Sequence, residues 1–233
     1  MKSKSLRSSR KGQAGFTLVE IAIVLVIIGL LLGGVLKGQE LINNGKVKSA
    51  IADTNAVITA YNSYIDRYRA IPGDEGDATV LNNRGGPWAG VTATAATFNN
   101  GVLTAAASFA PAAVSEVTTF WQSLRAAGFL SGNVASTGVA ALPFNAFGGL
   151  TNIVVNTAAA STGMPLGLSV CISKVPGKAA AQMEVQLDDG NPATGSIRST
   201  SAANATAHTA PAIAPTTGIY SEDLFYTVCR SIA

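Results

Sequence analysis

Glu20 is the one charged residue within an apolar run that extends from residue 16 to residue 36. At about 1.5 Å per residue, a helix of this length spans about 30 Å, the thickness of the hydrocarbon core of a bilayer. Its fifteen Leu, Ile, Val and Phe residues favour insertion by roughly 4.5–9 kcal/mol, whereas one acidic side chain costs roughly 3 kcal/mol. The run therefore inserts despite the charge. A lone carboxylate in apolar surroundings indicates a functional group that needs a positive partner.

The other residues whose side chains could take part in a reaction do not form a catalytic pattern. His208, the single histidine, lies in an Ala/Thr-rich stretch, and we interpret it as an exposed residue rather than a base. The sequence contains no Gly-x-Ser-x-Gly motif, no phosphate-binding loop and no metal-ligand cluster. Cys171 and Cys229 lack the close CxxC spacing of a redox pair. We therefore predict no catalytic residues and no enzymatic activity.

Two acidic stretches are candidates for binding a cation, and both have a simpler interpretation. Asp188 and Asp189 precede Gly-Asn-Pro, so we interpret them as turn formers and keep calcium binding as a weak alternative. Residues 73–77, Gly-Asp-Glu-Gly-Asp, lack the spacing of an EF-hand and are predicted to form a solvated loop. No metal and no cofactor is therefore predicted.

The segment before the apolar run is basic and contains no acid; its cationic residues are Lys2, Lys4, Arg7, Arg10 and Lys11. By the positive-inside rule this end stays in the cytoplasm. A secretory signal peptide also begins with basic residues, but its apolar region covers only ~7–15 residues. This leader holds five of the 16 basic residues, so the chain from residue 16 onwards carries a net charge of −2. The overall charge of +3 therefore does not indicate nucleic-acid binding.

The residues at the start of the apolar run, Gly15-Phe-Thr-Leu-Val-Glu20, form a specific motif in this context. The motif resembles the cleavage and methylation site of prepilins, the precursors of type IV pilins and type II secretion pseudopilins. The resemblance implies that a membrane peptidase cuts after Gly15 and N-methylates Phe16. It also implies that Glu20 attracts the free N-terminus of a neighbouring subunit inside a filament. Many pilins carry a proline at the position of Lys37, which this chain lacks.

The predicted fold class is α+β, with a long N-terminal helix packed on a small antiparallel sheet. We predict one continuous helix from Phe16 to Arg69. Its first half, residues 16–36, is the transmembrane and assembly segment, and its second half, residues 37–70, is amphipathic. Residues 71–233 are predicted to form a globular head, and residues 1–15 are the leader that is removed.

The pattern of the head is that of helices followed by short strands. Residues 73–110 are predicted to be irregular. A helix is predicted from Pro111 to Ala127, closed by Gly128, with Trp121 in the core. The other predicted elements are a helix over Pro176–Leu187, strands over Ile153–Thr157, Leu166–Ser173, Ser196–Arg198 and Leu224–Ile232, and a low-complexity loop over Ser199–Thr217.

The two cysteines are expected to lie on the exported side of the membrane, where disulfides persist. We predict one bridge between Cys171 and Cys229, closing a loop that the chain-entropy model values at roughly 4 kcal/mol. Two buried free thiols are the alternative. A disulfide loop near the C-terminus is also what the resemblance implies, and some heads of this family hold calcium there.

The resemblance implies a structural protein, the subunit of a type IV pilus that serves motility, adhesion or DNA uptake. A type II secretion pseudopilin or minor pilin is the alternative within the same class. A single-span periplasmic enzyme or binding protein is the alternative from another class. The implied partners are further copies of the chain, the prepilin peptidase, the assembly machinery and the lipid of the inner membrane. The protein would reside in the inner membrane before assembly and in an extracellular pilus or periplasmic pseudopilus afterwards.

Overall fold

The computed structural model describes Gly15 and residues 17–93, 99–156, 167–202, 208 and 219–232. Clustering of contacts divides the chain into one compact unit that ends at Ile42 and a second that begins at Asn43. We call the second the folded unit. It contains the end of the first helix and a four-stranded sheet, as the α+β prediction requires. The exact domain boundaries given above remain a prediction.

The first helix, α1, extends from Leu18 to Tyr68, two residues shorter at its start and one shorter at its end than predicted. Arg69 ends it by adopting a left-handed backbone with a φ of 55°. We call Leu18–Ile42 the apolar segment and Asn43–Tyr68 the packed segment. The side chains that α1 buries all belong to the packed segment and are spaced by three or four residues: Val47, Ala50, Thr54, Val57, Ala60 and Tyr64.

The region predicted to be irregular contains two short elements. One is a helix, α2 (Ala78–Asn82), and the other is a 3-10 turn at Gly86–Gly90. The α2 helix begins where it does because Asp77 Oδ1 accepts a hydrogen bond from the backbone N–H of Val80, at 2.9 Å. The prediction of a structureless segment was therefore wrong here, since a single capping carboxylate is sufficient to start a one-turn helix.

The next helix, α3, covers Glu116–Ala126 and does not begin at Pro111 as predicted. Ser115 is its N-cap, and the Ser115 hydroxyl accepts a hydrogen bond from the N–H of Thr118 at 3.2 Å. The cap fixes the start five residues later than the proline suggested. Gly128 closes the helix with a φ of 80°, in agreement with the prediction.

The sheet consists of four strands: β1 (Thr151–Asn156), β2 (Gly167–Pro176), β3 (Ile197–Ala202) and β4 (Phe225–Ser231). A helix, α4 (Gly177–Leu187), follows β2 directly. The strand order is β1-β2-β4-β3, and every pair is antiparallel. The final strand in the sequence is therefore central, because it lies between β2 and β3.

The third strand is longer than the sequence suggested. Residues 199–202 were predicted to begin the low-complexity loop, but they continue β3 and pair with β4. Ser199 and Thr200 lie opposite Val228 and Thr227, and both are buried. The polar side chains of these residues gave no hydrophobic pattern from which a strand could be predicted. The strand forms because its backbone pairs with β4. The rest of the predicted loop, apart from His208, lies outside the described residues.

Two groups of buried apolar side chains form the core of the folded unit. The larger joins α1, α3 and β1 and includes Tyr64, Phe120, Trp121 and Ile153. The smaller joins α1, α4 and the sheet and includes Val47, Met183, Ile197 and Tyr226. Trp121 is fully buried, which confirms its predicted place in the core.

Candidate functional site

The predicted functional glutamate lies in the first turn of α1. The N–H and the hydroxyl of Thr17 donate to Glu20 Oε2 at 2.8 and 2.7 Å, and the N–H of Glu20 donates to the Thr17 hydroxyl at 3.3 Å. This reciprocal pattern is a capping box, in which the N-cap and N3 side chains satisfy each other's free N–H groups. One carboxylate oxygen is thus held by its own helix. Oε1 accepts no hydrogen bond from the described residues.

The capping role of Thr17 was missed from the sequence, although the signal was present. Thr-x-x-Glu before an apolar run is the usual pattern of a capping box, and here it overlaps with the cleavage motif. The carboxylate also lies at the positive end of the helix dipole, where a negative group is favourable. The sequence therefore gives Glu20 one local role in addition to the intermolecular role that the resemblance implies.

The predicted cleavage site is only partly described. Gly15 is exposed and lies outside the helix, whereas Phe16 and residues 1–14 lie outside the described residues. The cut after Gly15 and the methylation of Phe16 therefore remain predictions.

The apolar segment exposes large hydrophobic side chains around its whole circumference. Leu18, Leu30 and Leu36 are 91%, 74% and 67% exposed. Among the described residues α1 is the one helix that is long and apolar enough to cross a membrane. A helix that is apolar on every side is stable only against lipid or against other apolar helices. Since none of the side chains of the apolar segment is buried against the part of the chain that the structure describes, the segment needs lipid or other helices to cover it.

Cys171 and Cys229 form a disulfide between the central strands β2 and β4. The two residues lie directly opposite each other in the register, and both are fully buried. The bridge joins residues 58 positions apart in the sequence and links the last strand, β4, covalently to its neighbour β2. Its position inside the sheet indicates a structural role.

Asp188 and Asp189 form hydrogen bonds within the turn that follows α4. Asp188 Oδ2 accepts from the N–H of Ile197 at 2.6 Å, and Asp189 accepts from the N–H of Asn191 at 2.8 Å and the hydroxyl of Thr194 at 2.5 Å. The hydrogen bond from Thr194, followed by that from Asn191, lowers the pKa of Asp189. Both residues act as turn formers.

A third carboxylate, Glu184, lies beside these two aspartates and was not predicted from the sequence. Oxygens of Glu184, Asp188 and Asp189 lie within 4.8 Å of one another. Glu184 is fully buried, and its Oε2 accepts a hydrogen bond from the hydroxyl of Tyr220 at 2.8 Å. Burial raises the pKa of Glu184 to about 7, and the two aspartates contribute in the same direction, while the Tyr220 bond opposes the rise. Glu184 precedes Asp188 by four residues, and this helical spacing could have indicated that the two carboxylates lie close together.

The other acidic stretch, residues 73–77, is not a solvated loop. Asp74 and Glu75 are buried, with 3% and 9% of their surface exposed. Glu75 binds the guanidinium of Arg84 through both oxygens, at 2.5 and 3.1 Å, and also accepts a hydrogen bond from the hydroxyl of Tyr64. The prediction was wrong because these acids have partners that lie elsewhere in the sequence. The stretch is structural.

His208 is exposed, as predicted, but its ring contacts another residue of the folded unit. Its Nδ1 lies 2.9 Å from the hydroxyl oxygen of Ser173, which also accepts a hydrogen bond from the N–H of Leu150. Desolvation, and then the charge of Lys174, lowers the pKa of His208. Ser173 is fully buried, so the pair does not present an accessible nucleophile.

Comparison with known proteins identifies one part of the chain. Residues 10–36 match the family model described as the prokaryotic N-terminal methylation motif. The match includes the whole Gly15–Glu20 motif and most of the apolar segment. No curated protein and no solved structure matches the chain. The folded unit is therefore interpreted from its own geometry.

Proposed function

We propose, from the premise that this chain carries at residues 10–36 the signature of type IV pilins and pseudopilins, that it is the structural subunit of a type IV pilus. The observation that carries the proposal is a capped helix that begins at the signature and whose apolar segment buries no side chain among the described residues. A disulfide-bonded α+β unit at the other end of the chain suits a role outside the cytoplasm.

The proposed sequence of events begins in the inner membrane. The precursor spans the bilayer through residues 16–36, with the basic leader in the cytoplasm and the folded unit in the periplasm. The prepilin peptidase removes residues 1–15 and methylates the new N-terminal amine of Phe16. The assembly machinery then transfers the helix from lipid into a bundle of identical helices. Helix packing replaces lipid contacts during this transfer, so the apolar surface stays covered throughout.

Glu20 gives the proposed assembly its register. In the mature chain the positive amine of Phe16 is created by cleavage, so only processed subunits supply a partner for a neighbour's carboxylate. Opposite charges at close range attract one another, and more strongly where water is excluded. The Oε1 oxygen, free of bonds from the described residues, is available to accept from the amine. The capping box holds the other oxygen and so orients the carboxylate.

N-terminal analysis of the native protein by mass spectrometry tests the processing step. We expect the mature chain to begin with N-methylated Phe16. A chain that retains Met1 and its leader in the membrane would instead support a plain membrane anchor and would contradict the proposal.

The role of Glu20 is tested by counting filaments sheared from cells that express variants. We expect Glu20→Ala to be inserted and cleaved but to reduce filament yield by at least about tenfold, since 1.4 kcal/mol corresponds to tenfold. The matched control is Thr17→Ala, which removes the hydrogen bonds of the hydroxyl but keeps the backbone N–H that holds Oε2, so the carboxylate stays charged and oriented and assembly should be nearly normal. If both variants lose filaments equally, helix capping rather than pairing with the amine explains the requirement.

A type II secretion pseudopilin or minor pilin has the same N-terminal signature and is the second candidate. Electron microscopy of cells that express the chain at its natural level discriminates between the two. Long surface filaments labelled along their length by an antibody against the folded unit would support the pilus. Labelling only at filament tips, or the absence of surface filaments in secreting cells, would favour the alternative.

A further inference from the structure

Arg125, in the last turn of α3, is a partly buried cation without a counter-ion. Its Nη2 donates a hydrogen bond to the backbone oxygen of Ala141 at 2.6 Å. Its Nε and Nη1 are covered and have no hydrogen-bond partner among the described residues, and the guanidinium forms no ion pair with any of them. Desolvation lowers the pKa of Arg125, although a guanidinium keeps its charge in a protein. The positive charge is therefore incompletely compensated.

The guanidinium is held in place by the residues around it. A Cβ atom at Gly132 would lie 2.7 Å from Nε of Arg125, which is too close for any side chain. Gly132 has a φ of 131°, a conformation that glycine adopts readily. This close approach on one side and the Ala141 carbonyl on the other fix the guanidinium. Of its five N–H groups, three belong to the two nitrogens without a partner, so the fixed group keeps unused donors.

Arg125 lines a pocket of about 250 Å³ on the folded unit. The apolar part of the wall includes Val57, Leu130 and Phe144. Asp53 also lines the pocket but is exposed, so water screens its charge much more than that of the desolvated guanidinium. Pockets for drug-sized ligands usually measure about 300–1,000 Å³, so this one suits a smaller molecule.

We propose that this pocket binds a small carboxylate with an apolar body, of about the size of phenylacetate. A guanidinium fits a carboxylate with two parallel hydrogen bonds, which are strong because both groups are charged. Inorganic phosphate would leave the apolar wall uncovered and would bring a second negative charge towards Asp53. The site belongs to the folded unit and is independent of the proposed role in a filament.

Binding requires a small movement of the pocket wall, because Nε and Nη1 of Arg125 are covered. The side chain of Phe144 is 77% exposed, so it can rotate without losing contacts in the core. After this movement the ring covers the apolar body of the ligand. Phe144 therefore contributes to affinity through the apolar part of the ligand, and Arg125 through the carboxylate.

Calorimetric titration of the full chain in micelles of a non-ionic detergent at pH 7 tests the site. We expect one phenylacetate to bind with a Kd of roughly 10⁻³ M, as for a ligand of about ten non-hydrogen atoms. Phenylacetamide has the same shape without the charge and should bind at least about tenfold more weakly. Acetate has the charge without the apolar body and should also bind at least about tenfold more weakly.

Variants assign the binding to this pocket. Arg125→Gln should weaken phenylacetate binding at least about tenfold. If it does not fold, Phe144→Ala decides alone, since it should weaken phenylacetate binding about threefold and leave acetate binding unchanged. Asp53→Asn is the matched control, because it changes the charge of the pocket but keeps the guanidinium, and it should bind phenylacetate at least as tightly as the wild type.

Three results would overturn the proposal. The first is absence of binding at about 10 mM phenylacetate, roughly ten times the expected Kd. The second is equal binding of phenylacetate and phenylacetamide, which would show that the charge of Arg125 plays no part. The third is an equal loss of binding in Asp53→Asn and Arg125→Gln. If Arg125→Gln lowers filament yield while no small carboxylate binds, the pocket instead receives a carboxylate from a neighbouring copy.

Discussion

The apolar segment and the packed segment are parts of the same helix, yet they relate differently to the rest of the chain. The packed segment buries six side chains, from Val47 to Tyr64, whereas the apolar segment buries none. Backbone geometry is the same in both, since α1 is continuous from Leu18 to Tyr68. The difference therefore lies in the distribution of apolar residues around the helix. A single stripe is covered by the folded unit, while a fully apolar surface is left for lipid or other helices.

The comparison shows that one helix can belong to two different environments. In the packed segment, hydrophobic contacts are intramolecular and contribute to the stability of the folded unit. In the apolar segment, the same kind of side chain contributes nothing to that stability until an external partner covers it. Substitutions in the two segments should therefore separate into those that change folding and those that change insertion or assembly.

The largest expected effect is that of Tyr64→Ala in the packed segment. Tyr64 is fully buried, contacts the rings of Tyr68 and Trp88, and donates a hydrogen bond to Glu75. Truncation should lower the free energy of unfolding by about 3–5 kcal/mol, because it leaves a cavity and removes one of the hydrogen bonds that buried Glu75 accepts. Denaturant unfolding of the full chain in micelles, followed by the fluorescence of Trp88 and Trp121, measures the change.

The matched substitution is Leu31→Ala in the apolar segment. Leu31 is 64% exposed, so its removal should change the unfolding of the folded unit by less than about 0.5 kcal/mol. If it destabilised the folded unit as strongly as Tyr64→Ala, the separation between the two segments would not hold.

The disulfide gives the next largest effect. Replacing Cys171 and Cys229 by alanine should lower the free energy of unfolding by roughly 2–5 kcal/mol. By hydrogen exchange we expect the packed segment to lose protection together with the sheet, while the apolar segment in micelles keeps its own. Equal loss of protection along the whole of α1 would argue against two environments.

Sequence patterns predicted the features that depend on local periodicity. The predicted bounds of α1 were within two residues of those observed. A long apolar run followed by apolar residues at helical spacing is typical of one continuous helix. The capping of α3 by Ser115 was missed, since Pro111 was given more weight than a serine four residues later. The helix begins at Ser115 because of a specific hydrogen bond, and residue composition alone does not show which candidate residue forms it.

The buried acids could not be predicted in this way. Glu75 is buried because Arg84 and Tyr64 are near it in space, and neither partner is evident from the sequence around it. The same holds for Glu184, whose partner Tyr220 lies 36 residues away. A carboxylate in isolation is predicted to be exposed, and only long-range contacts reverse that expectation.

Arg84→Met is expected to have a smaller effect on the packed segment. The guanidinium forms a two-oxygen ion pair with Glu75 and lies 4.6 Å from the ring centres of both Tyr68 and Trp88. Its loss leaves Glu75 buried without its cation. Because the Arg84 side chain is 30% exposed, we expect a loss of about 2–3 kcal/mol, below the range for fully buried pairs.

Two further variants test this explanation of the Arg84 effect. Arg67→Met removes a cation 5.3 Å from the Tyr68 ring but no ion pair among the described residues, so it should cost less than about 1 kcal/mol. Adding Glu75→Gln to Arg84→Met should restore part of the loss. If it restores nothing, the contribution of Arg84 comes from its contacts with the rings.

The smallest expected effect is that of Gly38→Ala in the apolar segment. A Cβ atom at this position would meet no atom within 4 Å, so the substitution fits and favours the helix by about 1 kcal/mol. Hydrogen exchange in micelles should slow around residues 35–42, while the unfolding of the folded unit stays unchanged.

A filament that needs a soft helix at this point would assemble less well from this variant. Unchanged assembly would show that Gly38 does not provide the softness expected of a proline at the position of Lys37. An effect on the folded unit would contradict the separation of the two segments, because a change in the helix propensity of one segment would then have altered the stability of the other.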